Sequence, residues 1–194
     1  MVRVFVEGSD DEKFIIKLLQ DLIKSKELEL SKKINFKSYI NIMGSKKNLL
    51  DDVQSKYKQV TKEIELGEIK KVLFIFDCDF ELDDKKCNGM KNSNECFDKL
   101  INNLDWNIEI EKSKHLHIFN KNLDYFLVET INKKECYEHF DRLTECLDVE
   151  KVKPNKKPIA NLYRDLYPYP QFDFKDDRFR PLKDKLIDLF KGIK

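Results

Sequence analysis

No run of about 18 apolar residues occurs anywhere in this 194-residue chain, so it offers no membrane-spanning helix and no membrane partner is expected. A basic-then-apolar leader is also missing: the chain opens directly on the strand-like "VRVFV". Export is therefore not expected, and the cytoplasm is the default compartment. An excess of one charge is lacking too, with 37 basic and 36 acidic residues intermixed for a net charge of +1. Dedicated nucleic-acid binders show a strongly basic domain or stripe, so any polyanion bound here is held by a site and not by net charge. There is no CxxC pair among Cys78, Cys87, Cys96, Cys136 and Cys146. Their odd number and scattered spacing argue against a disulfide framework and against a zinc knuckle, and they read as ordinary reduced thiols. "HLHIF" reads as a strand with His115 and His117 on one face, more in keeping with two polar residues on a sheet surface than with a metal pair. Internal repeats and low-complexity segments are absent as well.

What is present suits one compact α/β domain: 41% of residues are hydrophobic and 38% charged, and a chain of this length buries a core without staples. Strand-like runs recur at Val2 to Val6, Ile34 to Ile42, Val72 to Phe76 and Leu116 to Phe119. "VLFIF" is apolar at every position, as in a central strand covered on both faces, whereas "INFKSYINI" alternates more and suits an edge. Helical periodicity fills the gaps. Phe14, Ile15, Leu18, Leu19, Leu22 and Ile23 share one face, with Ser9 and Glu12 as a capping box. Leu49, Leu50, Val53, Tyr57, Val60 and Ile64 predict a second helix, and Cys96, Phe97, Leu100, Ile101 and Leu104 a third. The order β-α-β-α-β-α-β favours a parallel sheet with right-handed crossovers. Residues 1–120 are read as this core and residues 121–194 as a helical elaboration packed on it. In that elaboration "LDYFLVETI", "KKECYEHFDRLTECL", "IANLYRDLY" and Leu182 to Phe190 are helical, and "YPYPQFDFKDDRFRP" is a connector.

Open α/β sheets bind ligands at the carboxyl ends of their strands. Glu7 follows the first strand and Asp77 the third. If those strands are neighbours, their ends lie about 4.8 Å apart, and the two carboxylates share one place. Asp79 points the same way if the chain stays extended. Carboxylates so close repel one another, and a divalent cation such as Mg²⁺ or Mn²⁺ relieves that. The bland alternative is that strand-end acids merely favour the following helix N-terminus.

"VFVEGSDDEKFI" followed by "VLFIFDCDFE" resembles the TOPRIM domain of topoisomerases, primases, small ribonucleases and overcoming-lysogenization-defect (OLD) nucleases. The resemblance covers roughly residues 1–120 and implies a Rossmann-like fold with a four-stranded, mainly parallel sheet that binds Mg²⁺. It further implies that Glu7 is the acid/base or metal glutamate and that Asp77 and Asp79 are the metal aspartates, with Gly8 allowing a tight turn. Topoisomerases and primases are larger, and the small ribonucleases carry a glycine soon after the DxD, where this chain reads "DCDFELDD". OLD-type nucleases are closer, with a polar-x-acid pair after the fourth strand that corresponds to Asn122 and Asp124 and a downstream lysine that corresponds to Lys156 or Lys157. Their ATPase domain has no counterpart, since GxxxxGK[ST] is nowhere in the chain.

Two further groups extend the candidate site. Gly44, Ser45 and Lys46 stand between the second strand and its helix, where free N–H groups attract phosphate; Lys46 or Lys47 adds charge, and the plain alternative is a helix start with solvated lysines. Glu81, with Asp83 and Asp84, prolongs the acidic run; with Asp124, Glu81 is a candidate for a second ion. The expected activity is Mg²⁺- or Mn²⁺-dependent phosphodiester cleavage on DNA or RNA, with Glu7, Asp77, Asp79 and Lys157 catalytic. A non-catalytic metal- or nucleic-acid-binding module is the first alternative, and small-phosphoester or nucleotidyl chemistry the second. A second copy of the chain or a separate protein remains open as a partner.

Overall fold

Val2–Val6 forms β1, the first strand of a computed structural model that describes residues 1–80, 86–130, 142 and 174–193. All its residues are buried except Arg3, which is half-buried and ion-paired to Glu63 at 3.0 Å. Ser9–Lys24 follows as α1, then a 3-10 turn at Phe36–Tyr39 and β2 at Ile40–Ile42. Next come α2 (Lys46–Leu49), α3 (Ser55–Glu65), β3 (Lys71–Asp77) and α4 (Met90–Leu104). The series continues with α5 (Lys112–His115), β4 (Leu116–Phe119), α6 (Leu123–Glu129) and, among the described residues, a closing helix α7 (Arg180–Phe190). The strands make one all-parallel sheet in the order β2-β1-β3-β4.

Alternation sorts the apolar residues onto two faces. Val4, Val6, Leu73, Ile75 and Phe119 meet α1 through Phe14, Ile15, Leu18 and Leu22, and α7 through Leu182, Leu186 and Phe190. Phe5, Phe74 and Phe76 meet Tyr57 and Val60 of α3, Phe97 of α4, and Trp106. On this second face Phe5 stacks on Phe74 at 4.8 Å, and Phe97 meets Phe74 edge-on at 5.2 Å. β3 lies between β1 and β4 with Val72–Phe76 fully buried, as its unbroken apolar run requires.

Several sequence expectations are corrected by local chemistry. The strand expected over 34–42 shrinks to Ile40–Ile42, because Asn35 Oδ1 accepts from Lys37 N and turns the chain into a 3-10 helix instead. The second helix is broken in two. Asp51 accepts from Val53 N and from the Gln54 side chain, and Val53, expected on the apolar face, is 65% exposed. The cap of α1 is Gly8 rather than Ser9, and Asp11 rather than Glu12 reaches back, its Oδ2 accepting from Gly8 N at 2.7 Å. His115 ends α5 instead of lying on β4, and its Nδ1 accepts from Glu111 N at 2.9 Å. His117 does lie on β4, but its Nε2 is buried without a hydrogen-bond partner among the described residues. Burial, reinforced by Lys185, pushes its pKa down to about 3.

The cysteines also depart from the reduced-thiol reading. Cys87 and Cys96 form a disulfide with Cα atoms 5.9 Å apart. Helix α4 starts between them, and Cys87 lies back along the helix, its carbonyl accepting from Ser93 Oγ at 2.7 Å. Cys78 is a buried free thiol, while Cys136 and Cys146 lie outside the described residues. Apart from Arg142, so do "KKECYEHFDRLTECL" and "IANLYRDLY". Among the described residues no helix is long and apolar enough to cross a membrane.

Candidate functional site

β1 and β3 run side by side, with Val6 opposite Ile75, so both chains leave the sheet at one corner. Past Val6 the main chain stays tied to the segment after β2: Met43 N donates to Val6 O at 2.8 Å and Gly44 N to Glu7 O at 2.7 Å. Gly44 makes that turn in the left-handed region (φ +91°), where a Cβ would also lie 3.4 Å from Asn48 Nδ2. Gly8, expected to be the tight-turn residue, is instead extended (φ −132°, ψ 178°), a conformation open to any residue.

Strand parity puts Glu7 with Phe5 on one face and Asp77 with Ile75 on the other, yet the Glu7 side chain reaches the Asp77 main chain. Glu7 Oε1 accepts from Asp77 N at 2.7 Å, across 70 residues of sequence, and so stands in for a ladder carbonyl once β1 has ended. Asp77 Oδ1 in turn accepts from Leu123 N at 2.9 Å, the first amide of α6. Each carboxylate thus spends one oxygen on an amide.

Beyond Asp77 the chain follows the end of β4. Cys78 N donates to Phe119 O at 3.0 Å, Asp79 N to Lys121 O at 2.6 Å, and Lys121 N to Cys78 Sγ at 3.0 Å. Asp79 itself is left-handed (φ 56°), so the extended path expected from Asp77 to Asp79 stops there. Its carboxylate turns to Lys46 Nζ at 3.5 Å. Asp11, at the start of α1, completes the acidic corner.

The electrostatics follow from this crowding. Burial pushes the Glu7 carboxyl up to about 7; Asp79 and Asp11 add to the rise, while the Asp77 amide and Lys46 oppose it. Burial pushes Asp77 up to about 9, helped by the charges of Glu7, Asp11 and Asp79 and opposed by the Leu123 amide. Carboxyls in such surroundings resist ionising together.

The donor chemistry of Glu7 and Asp77 fits a hard divalent cation: both offer oxygen, both are desolvated, and a cation removes the repulsion that raises them. The third ligand is not assembled. Among the described residues no three His, Cys, Asp or Glu side chains are gathered as a ready-made metal site.

The remaining expected residues are placed as follows. Ser45 caps α2, its Oγ accepting from Asn48 N at 3.2 Å. Lys46, expected to face phosphate, is 8% exposed and turned inward, whereas Lys47 is exposed. Asp124 is half-buried in the first turn of α6, one residue past the amide that holds Asp77, and Asn122 is buried just before it. Glu81, Lys156 and Lys157 lie outside the described residues. Sequence reasoning missed Asp11 and Asn88. The signal for Asp11 was its place four residues after Glu7, in the first turn of a helix that starts at the strand end. Asn88 carries no such mark. Compared with protein-family models, curated proteins and solved structures, the chain matches none.

Proposed function

We propose that this corner is a divalent-cation site for phosphodiester hydrolysis on nucleic acid, as the TOPRIM resemblance implies. The observation that carries the reading is the meeting of Glu7 and Asp77 at adjacent parallel strand ends, one carboxylate oxygen on the other residue's amide at 2.7 Å. Burial holds the Glu7 carboxyl up at about 7 without a cation, and a bound cation would favour its ionised form. The Asp77 amide orients Glu7, the Leu123 amide orients Asp77, and Glu7 and Asp77 would hold the cation. A bound Mg²⁺ or Mn²⁺ supplies Lewis acidity toward a phosphate oxygen and neutralises its charge. Lys47, exposed beside the corner, is the residue to meet a nucleic-acid backbone. A cytoplasmic location goes with this reading.

Plasmid DNA, single-stranded DNA and RNA incubated with the protein and Mg²⁺ or Mn²⁺ test the proposal. Cleavage is expected to fall at least about 100-fold in Asp77→Asn, the scale of losing a well-placed charged group; cleavage unchanged in that variant rules the mechanism out. A second reading, a cation-binding module without turnover, is favoured by one observation: Asp79 pairs with Lys46 rather than closing on Glu7 and Asp77. It predicts that Mg²⁺ raises thermal stability while no substrate is cut.

A further inference from the structure

Lys46 opens the four-residue α2 and is nevertheless almost wholly buried. A buried ammonium is costly unless every donor is met, so its partners indicate its purpose. Nζ donates to Cys78 O at 2.8 Å, Asn88 Oδ1 at 3.1 Å and Asp79 Oδ2 at 3.5 Å. Three donors meet three acceptors, all after the end of β3. The surroundings are held independently. Gly89 N also reaches Cys78 O at 2.8 Å, Ser93 Oγ reaches Cys87 O at 2.7 Å, and the Cys87–Cys96 disulfide ties the segment to α4. The neutral acceptors are the nearer ones, and the carboxylate is the farthest.

We propose that Lys46 is a positioning residue, the built-in counter-ion of the acidic corner. It holds Asp79 while no divalent cation is bound, and Asp79 passes from the ammonium to the cation when one binds. The inference rests on the cation reading above. Two cations compete for one carboxylate, so the affinity for the divalent ion is set partly by what Asp79 gives up. When Asp79 leaves, Cys78 O and Asn88 Oδ1 still meet two of the ammonium's three donors, which limits the cost of the exchange. A lysine suits this place better than an arginine, because a compact ammonium with rotatable donors can lose one partner and keep two.

A counter-ion and a structural peg differ in the direction of their effect on cation binding. Neutralising Lys46 strengthens cation binding, and mostly through Asp79. Mn²⁺ is titrated calorimetrically into the wild type, Lys46→Gln, Lys46→Arg, Asp79→Asn and the Lys46→Gln/Asp79→Asn double variant. Lys46→Gln is expected to bind Mn²⁺ roughly tenfold more tightly, the scale of one close charge in a partly screened site. Lys46→Arg keeps the charge and is expected to show no such gain, and in the Asp79→Asn background most of the gain disappears. Equal or weaker binding in Lys46→Gln, or a gain that persists in full without Asp79, overturns the proposal. The wild type gives an independent readout if Lys46→Gln does not fold. Its buried ammonium resonance, followed by ¹H–¹⁵N NMR, is expected to shift with Mg²⁺ in the wild type and not in Asp79→Asn, and a resonance unmoved at saturating Mg²⁺ overturns the proposal. If no form of the protein binds Mn²⁺, the cation reading falls and this inference with it. If the wild type binds and Lys46→Gln changes nothing, this inference alone falls.

Discussion

Glu7 and Asp77 tie the stability of this protein to pH above the ordinary carboxyl range. Their carboxyls are raised to about 7 and about 9, so between the ordinary carboxyl range and pH 9 the folded chain binds more protons than the unfolded one. Stability therefore falls as pH rises through that window, because unfolding then releases protons. Asp77→Asn keeps an oxygen for the Leu123 amide and removes the charge. It is expected to raise the melting temperature at pH 9 by roughly 3–6 °C, equivalent to about 1–2 kcal/mol, and to leave it nearly unchanged at pH 5. Thermal melts across this pH range check it; a variant less stable than the wild type at pH 9 contradicts the assignment. In the proposed site Mg²⁺ would bind the ionised carboxylates, so it is expected to raise the wild-type melting temperature more at pH 8 than at pH 5, and melts with and without the ion give the answer.

Among the elements, β3 and α4 hold the site most directly, one supplying Asp77 and the other anchoring the return from the loop. The Cys87–Cys96 disulfide closes a loop across 9 residues of sequence. Replacing both cysteines by serine is expected to cost about 2–3 kcal/mol, a drop of roughly 5–10 °C in melting temperature. The same melts with and without a thiol reductant check it: the reductant lowers the wild type and leaves the double-serine variant unmoved. β1, β3, β4 and α1 were legible because their apolar runs and periodicity are strong enough to override local competition. β2 and the second helix were misjudged where one side chain outbid the pattern, Asn35 by forming a turn and Asp51 by breaking the helix. The disulfide was invisible in linear spacing, because it depends on Cys87 lying back along α4.

At the scale of the whole molecule, the sheet separates two cores, and the acidic corner stands at the strands' carboxyl ends, away from where α7 seals the opposite end. Phe190 meets Phe36 at 5.5 Å and Tyr39 at 5.9 Å, just before β2 begins. Phe190→Ala is expected to cost about 3–5 kcal/mol of stability while leaving Mn²⁺ affinity within about twofold of the wild type. Denaturant unfolding and calorimetry on the same sample separate the two effects, and a large loss of affinity would show that the site depends on that distant packing. The meeting of Glu7 and Asp77 was legible because parallel strands in an α/β sheet end at a common edge. The inward turn of Lys46 and the arrival of Asn88 were not, since both depend on how the loop after β3 folds back in three dimensions. The central claim is that Glu7 and Asp77 together hold one divalent cation. Calorimetric titration of Mn²⁺ at pH 8 into the wild type, Glu7→Gln and Asp77→Asn tests it most directly. The account predicts one saturable ion in the wild type and affinity at least about tenfold weaker in each variant; binding absent from the wild type, or equal in all three proteins, contradicts it.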